Sequence, residues 1–547
     1  MQSRYLSTFR SNQSVTLITL LTALLLFTVT SSCRAAPQPL QISWFQATDS
    51  AWTYQNETEL ASSGLRSVSG VEATGGHFWY QADFSVANSG RYVLDFKNSS
   101  TIGLFQLHVF DSNRHKIARL EGGIQSNADN PFFLRHGREI TLAAGTYRLI
   151  GEMSGPFFLA QPEPYLNTLA DYRHAIKPGN ALVLLSLGIF LGLGIYYATL
   201  SLARQRMVEA MYALFILGNL LYNSMSLLVF PELFKLNWIY LVSVPILFSN
   251  IAYIVFVMSL LEIRRVNFPG LYWTGRSLMA VMLIFIILAG LLPNWSLEFA
   301  RYGVALFLMY GLTAGIMQSR QGLVSASLYL IAIVSFFILG GIAITQSHSY
   351  GSNTFYIEHV GLFAVAVEVI LLGLVLSYQF AELQREKEHI QTRLKHKTKI
   401  AQTDSLTGLA NRYALTKELH ALPKKGSFTY IDLDRLKYYN DAYGHAHGDE
   451  LLRKFSRKIS RLLMDKAKIY RVGGDEFSIL CSSGDLKWVE HVLSETVAYL
   501  HAEGFKLAGA SSGTAYRYEC HSLSDLKHLA DIRMYENKQQ RKEPKSA

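Results

Sequence analysis

Arg471-Val472-Gly473-Gly474-Asp475-Glu476-Phe477, near the C-terminal end, decides how the last part of the chain folds. Its two glycines separate an extended run ending at Arg471 from the alternating run Phe477-Ser478-Ile479-Leu480-Cys481. That pattern predicts a tight hairpin, because glycine takes positive φ without steric cost. The turn then carries two carboxylates. Bare backbone at Gly473 and Gly474 lets a bulky anion lie against the main chain, and Asp475 and Glu476 can hold a divalent cation that neutralises it. An ordinary acidic hairpin would read the same way, so the choice between the two rests on residues upstream.

Half of the 547 residues are hydrophobic, 17% are charged and the formal net charge is +10. Such a chain is too long for one domain and too apolar for an ordinary soluble protein, so membrane segments are expected. At the N-terminus Arg4 and Arg10 precede an apolar run from Val15 to Thr30, followed by small residues at Ser31, Ser32, Ala35 and Ala36. This is the three-part form of a secretory signal peptide over residues 1–36; an uncleaved helix is the alternative, although the run falls short of the ~20 residues of a span. Of the three cysteines, Cys33 would leave with the signal, so no disulfide is expected in the exported part.

Residues 37–178 are polar and aromatic, with short alternating runs such as Tyr92-Val93-Leu94-Asp95-Phe96 and Leu104-Phe105-Gln106-Leu107-His108-Val109-Phe110 between Asn, Ser, Asp and Gly turns. The spacing predicts an all-β, jelly-roll-like sandwich on the far side of the membrane. Trp44, Trp52 and Trp79 could stack on a ligand, for which carbohydrate is one class, or belong to the core as tryptophan generally does.

Seven apolar segments follow within residues 179–379: Ala181 to Ala203, Ala210 to Phe230, Leu236 to Leu261, Ser277 to Leu292, Tyr302 to Met317, Leu323 to Thr345 and His359 to Tyr378. Each is about long enough to cross a bilayer as a helix. Arg204, Arg206, Arg264, Arg265, Arg276 and Arg320 all fall on the side of the C-terminal half, which places that half in the cytoplasm and the sandwich in the periplasm of a bacterial inner membrane. Glu209, Asn219, Asn223 and Glu368 are polar positions in or beside the spans, suited to a relay or to helix–helix hydrogen bonding. Ionisable residues are otherwise rare there, which argues against a transporter or channel.

The last span has no breaker before residues 380–403. Leu376, Phe380, Leu383, Lys387, Ile390, Leu394, Lys397 and Ala401 recur in steps of four and three, the seam of a parallel coiled-coil dimer weakened by two lysines. A single helix with its basic residues on the anionic inner leaflet is the alternative.

Asp404-Ser405-Leu406-Thr407-Gly408-Leu409-Ala410-Asn411-Arg412 opens the final segment, residues 404–547. It resembles the D-x-L-T-G-L-x-N-R opening of GGDEF-domain diguanylate cyclases. Asp432-Leu433-Asp434-Arg435-Leu436-Lys437-Tyr438-Tyr439-Asn440-Asp441, with Tyr443-Gly444-His445 and Gly448-Asp449, is similar to that family's D-x-D-x-F-K-x-x-N-D…G-H-x-x-G-D run, with Leu436 in place of phenylalanine. Leu529 to Lys538 resembles its A-D-x-x-M-Y-x-A-K helix. The resemblance implies an α+β, nucleotidyl-cyclase-like domain. It implies Mg2+, with Mn2+ as the alternative, bound by Asp432, Asp475, Glu476 and the carbonyl of Leu433, and terminal phosphates reached by Lys538. Lys542 stands where the family has arginine, so a bidentate fork is lost. The family's inhibitory Arg-x-x-Asp falls on Met464 and Ala467, so product feedback through that site is not expected.

The residues give a compatible account of their own. Phe428 to Leu433 is an apolar strand ending in a carboxylate, so Asp432 can meet Asp475 and share a hard cation. Lys437 in the following turn can hold phosphate oxygens. Asp449 can accept from both donors on the guanine edge and Asn440 can complement it, whereas adenine offers no such donor pair. Turn and N-cap duty is the plainer reading of both; His445 is read as structural. The expected activity is condensation of two GTP to cyclic di-GMP and pyrophosphate by a homodimer, with Asp475 or Glu476 as catalytic base. A receptor that only binds GTP or the dinucleotide is the alternative. The layout resembles bacterial seven-transmembrane receptors with diverse intracellular signalling modules. No partner among nucleic acids is expected.

Overall fold

The computed structural model describes residues 38–47, 60, 64–97, 101–347 and 359–542. The signal segment 1–36, Cys33 and Trp52 lie outside the described residues. The chain forms two compact units, Met1–Ala381 and Glu382–Ala547.

The first unit opens with β1 (Gln38–Pro39), β2 (Ile42–Gln46), β3 (Arg66–Val68), β4 (Gly76–Val86), β5 (Gly90–Lys97), β6 (Leu104–Phe110), β7 (Lys116–Gly122), β8 (Arg138–Leu142), β9 (Gly145–Gly155) and β10 (Glu163–Thr168). They pair antiparallel in two sheets of order β1-β10-β5-β8 and β3-β2-β4-β9-β6-β7. Strand alternation turns one face of each sheet inward. Trp44, Phe78, Tyr80 and Phe84 of the larger sheet thus share a core with Leu94, Phe96, Ile140 and Leu166 of the smaller. Trp44 and Trp79 are 4% and 1% exposed, which removes both as stacking platforms. Their large apolar area is worth more in the interior than on a wet face.

Seven long helices follow among the described residues: α1 (Leu169–Arg204), α2 (Met207–Ser226), α3 (Val244–Leu260), α4 (Pro269–Leu291), α5 (Ser296–Arg320), α6 (Val324–Ser347) and α7 (Val360–Gln402). The hydroxyl of Thr168 caps α1 by accepting from the amide of Asp171. Among the described residues six helices are long and apolar enough to cross a membrane, as in a multi-pass membrane protein. The exception is α2. It is mostly buried within the bundle, where a helix can carry polar side chains because protein rather than lipid surrounds them. Asn219 and Asn223 donate to the carbonyls of Phe215 and Asn219, and Asn219 also reaches the hydroxyl of Ser249 on α3. Hydrogen bonding within and between helices, rather than a relay, accounts for these two residues. Glu209 pairs with Arg204 and Arg206 at 3.6 and 3.7 Å.

The sandwich meets α1 through Asp95 on β5. Its carboxylate is buried and accepts from Arg135 at 2.9 Å and from the hydroxyls of Tyr165 and Tyr172, the latter on α1. All of these donors converge on Oδ2, and deleting any of them leaves the buried charge costlier.

As the absence of a breaker predicts, α7 continues unbroken to Gln402. The first seam positions are taken elsewhere, since Leu376 is buried in the bundle and the Arg204 guanidinium lies 3.6 Å above the Phe380 ring. Exposed seam residues begin at Leu383.

The second unit contains β11 (Ala410–Asn411), α8 (Arg412–Leu419), β12 (Ser427–Asp434), α9 (Leu436–Tyr443), α10 (His445–Leu463), β13 (Ala467–Arg471), β14 (Glu476–Cys481), α11 (Leu486–Ala502), β15 (Gly509–Tyr516) and α12 (Leu523–Lys542). The sheet order is β11-β13-β14-β12-β15, antiparallel except for β11. On the interior strand β12, between β14 and β15, Ile431 and Leu433 face α10 and α11 with Leu452, Phe455 and Val492. Phe428 and Tyr430 face α8 and α12 with Leu415, Leu526 and Ala530. The same alternation carries Asp432 and Asp434 onto the α12 face.

Candidate functional site

The turn between β13 and β14 closes through the carbonyl of Glu476, which accepts from the amides of Val472 (2.9 Å) and Gly473 (3.3 Å). Neither Gly473 nor Gly474 has positive φ, so the conformational reason expected for these glycines is corrected. A Cβ on Gly473 would come within 3.0 Å of Glu476 Oε2, and one on Gly474 would meet nothing within 4 Å, leaving that backbone open on its outer side.

Arg471 fixes the hairpin. Its guanidinium donates to the carbonyls of Gly473 (3.2 Å) and Gly474 (2.8 Å) and to Asp404 Oδ1 (3.0 Å). Asp404 also accepts from the amide and hydroxyl of Thr407 at 2.9 and 2.6 Å. Burial alone would raise the Asp404 carboxyl, but these donors more than offset it and hold it below the ordinary carboxylate range. The Asp404-Ser405-Leu406-Thr407 turn and the Gly-Gly turn are therefore one hydrogen-bonded assembly. Sequence reasoning missed Arg471 and Asp404; an arginine directly before the turn and an aspartate opening the first motif were the available signals.

In the β12–β14 ladder Asp432 is the cross-strand partner of Glu476, and the amide of Leu433 donates to the carbonyl of Asp475 at 2.9 Å. The two acidic segments are thus adjacent. Like charges directly opposite repel, and a cation answers them here: Lys538 of α12 sets Nζ 2.6 Å from Asp432 Oδ1. Burial alone would lower the Lys538 ammonium, but Asp432, Asp434 and Asp475 together hold it above its usual range. Asp434, unused in the sequence reading, accepts from the Ser511 hydroxyl at 2.9 Å and lies 3.9 Å from Arg541. Its carboxyl is raised, first by burial and then by Asp432.

Among the described residues no three acidic, His or Cys side chains stand close enough to hold a metal ion. Asp432, Asp475 and Glu476 therefore do not form a closed cage, and the carboxylate of Asp432 is engaged by Lys538. The donor set fits a hard divalent cation nonetheless: oxygen donors only, with two carboxylates side by side across a ladder.

Lys437 is exposed in the first turn of α9, which Arg435 starts by turning through φ 66°. Asn440 lies on the same helix. Gly448 backs onto it: a Cβ there would sit 1.9 Å from Asn440 Oδ1, so any larger residue would push the Asn440 side chain out of its place. α10 begins at His445 after Gly444, so Asp449 lies beyond the first turn and is no N-cap. Its one ion pair, to Arg453 at 4.0 Å, is exposed. His445 is exposed at the start of α10. Met464, 78% exposed, follows α10, and Ala467 starts β13. The side chain of Lys542 lies outside the described residues.

Residues 401–544 match the family described as diguanylate cyclase, GGDEF domain, and residues 179–379 match the family described as 7TM diverse intracellular signalling. Among curated proteins, the chain is 38% identical over 137 residues to the probable diguanylate cyclase DgcI of Escherichia coli (strain K12), covering 25% of this chain and 30% of that protein. It is 33% identical over 181 residues to the diguanylate cyclase DgcN of the same organism, covering 30% and 44%. The chain thus spans less than half the length of either relative. A solved structure of the coiled coil and GGDEF domain of DgcB from Caulobacter crescentus, in complex with c-di-GMP, aligns at 26% identity with a TM-score of 0.28, covering 30% of this chain and 95% of that one.

Proposed function

We propose that this chain, which joins a GGDEF domain to a seven-helix diverse-intracellular-signalling domain, is a membrane-bound sensory diguanylate cyclase that condenses two GTP into cyclic di-GMP and pyrophosphate. The register that sets Asp432 beside Glu476 is the observation that carries this reading.

Asp449 and Asn440 read the guanine edge, and adenine leaves their acceptors unpaired. Lys437, Lys538 and Lys542 meet the triphosphate, whose oxygens rest against the open backbone of Gly473 and Gly474. Asp432, Asp475 and Glu476, with the Leu433 carbonyl, would hold Mg2+, or Mn2+ as the alternative, which when bound would supply Lewis-acid polarisation of the α-phosphate and a lowered hydroxyl pKa. Asp475 or Glu476 accepts the proton of the 3′-hydroxyl as its oxygen bonds to the α-phosphorus and pyrophosphate leaves. Each domain holds half a site, so two chains must meet face to face. The exposed seam of α7 from Leu383 onward supports a coiled-coil homodimer.

We read the sandwich as a jelly roll: setting β2 and β3 aside, its remaining strands follow the two-sheet order of that fold. The arginine-rich loops support a periplasmic position for it in an inner-membrane protein, from which a ligand would bias the dimer. A receptor that binds nucleotide without turnover is favoured by one observation, the Lys538 ammonium already on Asp432.

Incubating full-length protein in lipid nanodiscs with GTP and Mg2+, then separating the products, decides between the two. Cyclic di-GMP from the wild type, falling at least about a hundredfold in Asp475→Ala and Glu476→Ala, is expected. GTP bound but unconverted by the wild type would leave the receptor reading.

A further inference from the structure

A cavity of about 270 Å³ lies inside the bundle of the first unit, among α2, α3, α5, α6 and α7. Its wall is mainly apolar, with the rings of Phe215, Tyr222, Phe307 and Phe336. Two ionisable side chains line it, Arg301 and Glu368, and their situations differ. Arg301 is answered: its guanidinium is 2.5 Å from the Glu298 carboxylate and also donates to the carbonyl of Leu159. Glu368 on α7 is 3% exposed. Among the described residues it has one hydrogen-bond donor, the Tyr253 hydroxyl at 3.1 Å, and no cationic partner. Tyr253 shares its hydroxyl with Tyr329 at 3.2 Å.

Out of water, a phenol alone is a weak complement to a carboxylate, and a buried charge without an opposite charge is costly. The missing complement is a donor that brings positive charge. The rings around it attract cations on their faces and accept hydrocarbon or aryl groups elsewhere. The volume falls just below the roughly 300 Å³ at which sites for drug-sized ligands begin, which limits the occupant to a small molecule.

We propose that this cavity binds a small lipophilic primary amine, with its ammonium on Glu368 and its hydrocarbon part among Phe215, Phe307 and Phe336. The site lies apart from the nucleotide chemistry, and it gives the bundle a ligand of its own beside whatever the sandwich senses. Because Glu368 belongs to the helix that runs unbroken from Val360 to Gln402, an occupant touches the element that carries the exposed dimer seam.

The test uses full-length protein in nanodiscs and calorimetric titration with 2-phenylethylamine, its neutral isostere 2-phenylethanol and the anion 3-phenylpropanoate. Saturable binding of the amine, preferred over alcohol and acid, is expected. Glu368→Gln should weaken the amine by about tenfold or more while leaving the alcohol unchanged. Glu368→Asp, which keeps the charge, should retain the preference, and Val304→Phe, which fills the cavity, should remove binding altogether. No saturable amine binding to the wild type, equal affinity in Glu368→Gln, or undiminished binding in Val304→Phe would each overturn the proposal. Should Glu368→Gln not fold, Glu368→Asp and Val304→Phe decide the matter. Binding is read without turnover, so failure here leaves the cyclase reading standing, and an inactive cyclase leaves this site testable.

Discussion

Arg471 donates to two carbonyls of the acidic turn and to Asp404, so it sets the height of the hairpin that bears Asp475 and Glu476. Arg471→Ala should lower kcat by about tenfold or more, since small misplacements of catalytic groups are costly, with a smaller change in KM. Steady-state kinetics of the full chain measure this split, and an unchanged kcat would assign Arg471 to stability alone. Asp404 and Arg471 are 67 positions apart, and local patterns carry no information about such a pairing. Asp432 and Glu476 were legible for the opposite reason: a strand end and a hairpin flank are local features, and alternation fixes their face. Asp434 obeys the same alternation yet was overlooked, because its partners Ser511 and Arg541 come from elements distant in sequence.

At the level of elements, the short helix Val229–Phe234 between α2 and α3 carries Glu232 against the sandwich, where it accepts from the amide of Leu134 at 2.9 Å and from Asn130. Burial raises its carboxyl to about 7, against the pull of those two donors. A folded-state pKa above the unfolded value adds stability that is complete below the ordinary carboxylate range and is lost as pH rises through about 7. The melting temperature of the wild type should therefore fall between about pH 4.5 and about 7 and level off above that, and Glu232→Gln should flatten that fall; parallel curves for the two proteins would reject the assignment. Alternation made the sandwich readable and length made most of the helices readable. The role of α2 was less so, because whether a helix faces lipid or protein depends on neighbours that periodicity does not name.

At the scale of the whole molecule, the proposed homodimer would cover Leu383, Ile390 and Leu394, which are 43%, 50% and 58% exposed on α7. Ile390→Glu combined with Leu394→Glu should convert dimers to monomers by mass photometry in nanodiscs and stop product formation while GTP binding persists; a dimeric, active double variant would place the contact elsewhere. The broad plan of sandwich, helices and terminal nucleotide domain was legible because each part has its own period and composition. The engagement of Asp432 by Lys538 was not, since it joins β12 to a helix 106 positions later. The central claim, that acidic side chains on two neighbouring strands hold one cation for GTP, is tested most directly by electron paramagnetic resonance of Mn2+ titrated into full-length protein with a non-hydrolysable GTP analogue. A nucleotide-dependent Mn2+ site in the wild type, weakened in both Asp432→Asn and Asp475→Asn, is the predicted result; a site of equal affinity in all three proteins would contradict the account.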